Sequence, residues 1–243
     1  KAGNPASVDH NLTVDVTVPA VTINTIAGDD VINVAEHSQA HVISGTATGA
    51  AAGDKVTVTI GGQTYTTVLD AAGNWSVGVP ASVISGLSDG SVTVTASVTD
   101  AAGNTGTGSH NVTVDTGLPS VSFNAISDDN VLNAVEKGQD LSVSGTSANL
   151  AEGTVVTVTL NGKNYTATTA ADGTWSLTVP AADLAGLGQA NYTLNATATN
   201  GVGNSVSNTA NLLVDTALPT VTINTVAGDN VINAAEVAAG QTL

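Results

Sequence analysis

With 243 residues and a formal net charge of −16, the chain carries only four basic side chains, Lys1, Lys55, Lys137 and Lys163. Such a surface repels nucleic acid and anionic lipid and draws cations, which excludes nucleic-acid partners and membrane-surface binding. Cysteine is absent, so disulfides and thiolate metal sites are excluded, and no apolar run approaches the roughly 20 residues of a membrane-spanning helix.

Valine, threonine, alanine, glycine and asparagine dominate, a composition that favours strands and turns. One stretch organises the rest. It reads VDVTVPAVTINTIAGDDVINVAE from Val14 to Glu36 and returns from Val114 to Glu136 and from Val214 to Glu236, every 100 residues. Lys1 to Asp15 aligns with Ala101 to Asp115 and is expected to be the last loop and strand of a preceding module. No signal peptide is visible at Lys1, and the chain reads as a piece of a longer protein. Val16 to Ala20 is a linker, made semi-rigid by Pro19, which fixes its own backbone and extends Val18.

The first complete module then runs through Asp115. Val21 to Ile26 alternates apolar and polar residues, the pattern of a half-buried strand, and Gly28 to Glu36 follows as an acidic loop. His41 to Thr48 alternates again. Val56 to Ile60 and Gln63 to Leu69 flank Gly61-Gly62, a two-residue hairpin turn. Asp70 to Asn74 is a turn, Trp75 to Val79 a strand stopped by Pro80, and Ala81 to Gly90 has room for one helical turn. Ser91 to Thr99 and Gly108 to Asp115 are strands around the Asp100–Asn104 turn. Residues 116–215 repeat this plan with Trp175 for Trp75, and residues 216–243 begin a third module.

About seven short antiparallel strands per module, with turns every 8–12 residues or so, predict an all-β fold: tandem immunoglobulin-like, Greek-key β-sandwiches in a rod. The segments are 1–15, 16–115, 116–215 and 216–243. Valine, isoleucine and leucine at alternate positions are to form each core, with the tryptophan plugging one end. If every strand reverses the last, the Gly28–Glu36 loop and Asp115 share the top of a module. The Asp70 and Asp100 turns lie at its base, so the top of one module faces the base of the next.

Carboxylates converging there without basic partners repel one another, and a divalent cation relieves the repulsion. Calcium accepts six to eight oxygens from Asp, Glu, Asn and loop carbonyls in an irregular cage, magnesium demands stricter geometry, and zinc wants histidine or thiolate. The candidate metal ligands are Asp15, Asp29, Asp30, Asn33, Glu36, Asp70, Asp100, Asp115, Asp128, Asp129, Glu136, Asp172, Asp215, Asp229 and Glu236. D-D-x-x-N-x-x-E lacks the spacing of a helix–loop–helix calcium loop. Asp and Asn also favour turns on their own account, so D-A-A-G-N at Asp70 and Asp100 is equally a plain turn. Asn200 replaces Asp100, and Asn130 and Asn230 replace Asp30, which removes charge from those positions.

No Gly-x-Ser-x-Gly elbow and no repeating Ser–His–Asp set is present, and His10, His37, His41 and His110 read as surface or strand-edge residues. Paired carboxylates imitate a glycosidase pair, but their tandem repetition without an aromatic cleft favours structure over hydrolysis. Trp75 and Trp175 would stack on a sugar if exposed, which keeps a lectin-like, glycan-binding module as the alternative.

The phrases VTVDT-x-L-P, AGDDVIN-x-x-E, V-x-DAAGN-x and GNWSV-x-VP resemble the bacterial Ig-like repeats of giant non-fimbrial adhesins of the SiiE type, with Bap-like biofilm adhesins next. The resemblance implies type I secretion, a cell-surface location, many tandem modules in a monomeric rod, and a part in virulence or biofilm. It also implies calcium that stiffens the junctions and contact with host-cell glycans near the distal end. Onto this sequence it carries calcium to Asp15, Asp29, Asp30, Glu36 and their repeats.

Overall fold

The computed structural model describes residues 2–226 and 229–239. Each module is a sandwich of a three-stranded and a five-stranded sheet. In the first, β1 (Ala20–Ile23), β3 (His41–Thr48) and β6 (Asn74–Val79) form the small sheet in the order β1-β3-β6. The large sheet joins β2 (Val31–Asn33), β8 (Thr105–Asp115), β7 (Gly90–Thr99), β4 (Lys55–Ile60) and β5 (Gln63–Val68) in the order β2-β8-β7-β4-β5. Helical turns α1 (Val34–His37) and α2 (Ala81–Ile84) complete it.

The second module repeats the plan. Its small sheet is β9 (Ser120–Phe123), β11 (Leu141–Ala148) and β14 (Thr174–Val179). Its large sheet is β10 (Val131–Leu132), β16 (Ser205–Val214), β15 (Ala190–Thr199), β12 (Val155–Leu160) and β13 (Lys163–Thr168). α3 (Ala181–Leu184) matches α2, and Glu136–Gly138 is a single 3₁₀ turn where the first module has α1.

Alternation dictates the core. In β4, Val56, Val58 and Ile60 are fully buried while Lys55 faces solvent. The two modules have separate hydrophobic clusters, one around Ile32, Ile43 and Val94 and the other around Leu132, Val143 and Leu194. Gly61 and Gly62 both have positive φ, +55° and +75°, which turns β4 into β5 as the two-residue hairpin the sequence predicts.

The strand count is corrected. A module has eight strands rather than seven, because the first edge segment changes sheet: β1 pairs antiparallel with β3, and β2 pairs parallel with β8. The expected Gly28–Glu36 loop is therefore a crossover, a short strand and a helical turn. Positive φ at Ala27, Gly28 and Asp30 makes the crossover, and buried Ile26 anchors it.

The tryptophans join the cores directly after the 70–74 and 170–174 turns. Trp75 lies across from Gly45 within the small sheet, and Trp175 across from Gly145, where a Cβ on either glycine would come within 2.5 Å of the ring. Residues 2–19 contain no regular secondary structure.

The third copy likewise forms no strand among its described residues, only α4 (Ala234–Ala239). Ala227, Gly228 and residues 240–243 of that expected module lie outside the described residues, as does Lys1.

Candidate functional site at the module junction

The acidic segment is built from local hydrogen bonds. Asp30 occupies a left-handed conformation, φ +64°, that Asp and Asn tolerate better than other side chains. Its Oδ1 accepts from Ile26 N at 2.8 Å and from His110 Nε2 at 2.7 Å. The Ile26 N–H first and the imidazole second hold this carboxyl below the usual aspartate range. Asn130 and Asn230 take the same conformation and accept the same bond, from Ile126 N and Val226 N. Acid and amide are interchangeable in this column because the fold needs a left-handed residue with a side-chain acceptor there.

Asp29, Asp129 and Asp229 each accept from the N–H two residues on. Asn33 caps α1 through Ala35 N and Glu36 N, while Glu36 Oε2 returns to Asn33 N, a reciprocal capping box. Asn133–Glu136 and Asn233–Glu236 repeat it. Asp128 occupies the position of Gly28 with φ +63°.

The sheet crossover divides the predicted site. Asn33 pairs in register with Asp115 at the top of the module, and Glu36 follows in α1. Asp30 pairs lower, its carbonyl accepting from Thr113 N. At about 3.3 Å per residue, Asp29 and Asp30 stand roughly 10 Å below the strand end. The structure therefore brings Asn33, Glu36 and Asp115 together and sets Asp29 and Asp30 apart from them.

Asp15, Asp115 and Asp215 each bend the linker by accepting from the N–H of residue 17, 117 or 217 at 2.9–3.0 Å. Asp70 and Asp172 close their own base turns. Asn74 N and Nδ2 bond Asp70, and Thr174 N and Oγ1 bond Asp172, which lowers both carboxyl pKa values. Asp100 is held low in the same way, chiefly by the Asn104 side chain.

Of the base turns, the 200–204 turn reaches the preceding module. Asn204, 3% exposed, accepts from Val34 N at 2.8 Å and donates from Nδ2 to the carbonyls of Asp115 and Gly117 at 3.0 and 3.2 Å. Asn104 similarly donates to Asp15 O at 3.1 Å. Asp89 also holds the linker, accepting from Thr116 N and Oγ1. Asn104, Asn204 and Asp89 are not among the ligands the sequence suggests. Asn4, Asn104 and Asn204 do recur every 100 residues, and that periodicity was the available signal.

The donors near the junction are oxygens, which suits a hard cation in kind. Among the described residues, however, no group of three or more Asp, Glu or His side chains is placed to hold a metal ion. A cation at this joint would draw on Asp115 and Glu36, with Asn33 and linker carbonyls making up the shell.

The bacterial Ig-like domain family matches residues 17–116 and again residues 123–216. The chain belongs to this family. Among solved structures it is similar to a Ca2+-stabilized adhesin that helps an Antarctic bacterium reach out and bind ice. That match has 41% identity over 92% of this chain and 56% of that one, with a TM-score of 0.58. A second is a 1.5-MDa bacterial ice-binding adhesin described for host cell surface retention, 34% identical over 91% of this chain and 73% of that one, TM-score 0.54. This Ig-like chain thus spans just over half the length of the first relative. It is homologous to repeat regions of large bacterial adhesins. No curated protein matches it.

Proposed function

We propose that this chain is a non-enzymatic extender segment of a large bacterial surface adhesin, stiffened by calcium at its junctions. The observation that carries the proposal is directional. The chain enters a module at the base, beside Pro19, and leaves from the opposite end at Asp115, where the next module's 200–204 turn receives it. Modules joined in this way add length with every repeat. An eleven-residue strand such as β8 spans about 35 Å.

Calcium is supported by the charge of −16, by the oxygen donors Asp115, Glu36 and Asn33, and by the calcium-stabilised relative. Extracellular calcium modules bind at roughly 10⁻⁴–10⁻³ M, so such a joint fills outside the cell and stands largely empty in the cytosol. On this proposal the rod leaves the cell by type I secretion with its calcium-dependent joints loose, and those joints stiffen at the surface. Adhesion to host-cell glycans then belongs to a distal tip. The lectin-like alternative loses its stacking faces, because Trp75 and Trp175 are only 3% and 2% exposed.

The test combines titration calorimetry with small-angle X-ray scattering. Calcium should bind with a dissociation constant of about 10⁻⁴–10⁻³ M, and Asp115→Asn should weaken binding. In calcium the two modules should give a maximum dimension of about 70 Å or more. No binding heat would refute calcium, and a compact, side-by-side particle would refute the extender.

A further inference from the structure

Every hydrogen-bonding atom of the Asn204 side chain is used between modules. Its Oδ1 takes the Val34 N–H, and its Nδ2 reaches both Asp115 O and Gly117 O. Asn200 holds the latch from behind, its Oδ1 accepting from Asn204 N at 2.9 Å and its Nδ2 reaching Gly117 O at 3.5 Å. Gly203, at φ +87°, lets Asn33 approach: a Cβ there would lie 3.2 Å from Asn33 Nδ2.

The base turn of the first module reads DAAGN where that of the second reads NGVGN. With Asp100 in place of Asn200, Asn104 divides its Nδ2 between Asp100 Oδ2 at 3.0 Å and the linker carbonyl Asp15 O at 3.1 Å. The acid diverts to itself a donor that its amide counterpart leaves to the linker, and it adds a negative charge. A buried network whose donors and acceptors are all paired is directional and needs no counter-ion.

We infer that Asn204 and Asn200 form an amide latch that fixes the orientation of the two modules without a bound cation. Joints with aspartate at the position of Asn200 depend on a cation instead. The contrast rests on the calcium reading, whereas the latch does not.

The chain has no native cysteine, so Thr66→Cys and Thr166→Cys place one spin label on each module. Double electron–electron resonance then measures the inter-module distance in calcium and in excess chelator. The otherwise unmodified chain should keep the same distance maximum in chelator. Asn204→Ala should broaden the chelator distribution at least twofold. Asn204→Asp keeps the turn and the acceptor for Val34 but has no N–H to give, and it should broaden likewise. Asn200→Asp should be narrow in calcium and broad in chelator.

A broad unmodified distribution in chelator overturns the latch, as does a narrow one for both Asn204 variants. A narrow Asn200→Asp distribution in chelator overturns the two-joint contrast. Calorimetry on the same samples fails separately if calcium does not bind at all.

Discussion

Glycine at position 45 is a steric requirement. A Cβ there would meet Thr22 O at 1.9 Å and the Trp75 ring at 2.5 Å, and Gly145 stands in the same relation to Ser122 O and Trp175. Gly45→Ala is expected to cost about 1–3 kcal/mol or more, since both neighbours must move. A chemical unfolding curve measures it, and an unchanged midpoint would contradict this packing.

The aspartates also set an acid limit. Asp30, Asp70, Asp100 and Asp172 are all held below the usual range by hydrogen bonds to the ionised form. A depressed carboxyl contributes stability that is complete above its unfolded pKa of about 3.9 and is lost as pH falls through the lower folded value. The thermal midpoint in chelator should therefore stay level from neutral pH to about 4 and fall below it. A fall that begins near pH 6 would contradict this assignment to the aspartates.

At the scale of elements, the β1–β2 crossover decides where acidic groups go. Its hydrogen bonds recur at Asn230, Asp229 and the Asn233–Glu236 box, although the described residues of that copy form no strand. The segment is thus encoded locally, and the surrounding sheets only receive it. In the first module the Asn33 side chain accepts from two N–H groups of α1, so Asn33→Ala is expected to cost about 1 kcal/mol. Thermal unfolding should show the loss in the first module and leave the second unchanged.

Across the whole molecule, the two cores are separate clusters, so each module carries its own stability. Trp75→Ala empties a large volume in the first core and should destabilise that module by about 3–5 kcal/mol. Calorimetry should resolve an early transition for it while the second module melts as before. A single shifted transition would mean that the junction couples the modules far more strongly than its few hydrogen bonds suggest.

The sequence alone determined the all-β class, the 100-residue period, the Gly61-Gly62 hairpin and the meeting of one module's top with the next one's base. These follow from alternation, turn chemistry and repetition, which are local or periodic signals. Only tertiary structure decided that the first strand changes sheet and that Trp75 faces Gly45. Each of these depends on what lies across a ladder rather than along the chain.

The same holds for the junction. A row of aspartates draws the eye to charge, yet the turn asparagine is the residue that spans it. In sequence Asn204 is one more turn residue, and it becomes the link between modules only when folding sets the carbonyls of Asp115 and Gly117 within its reach.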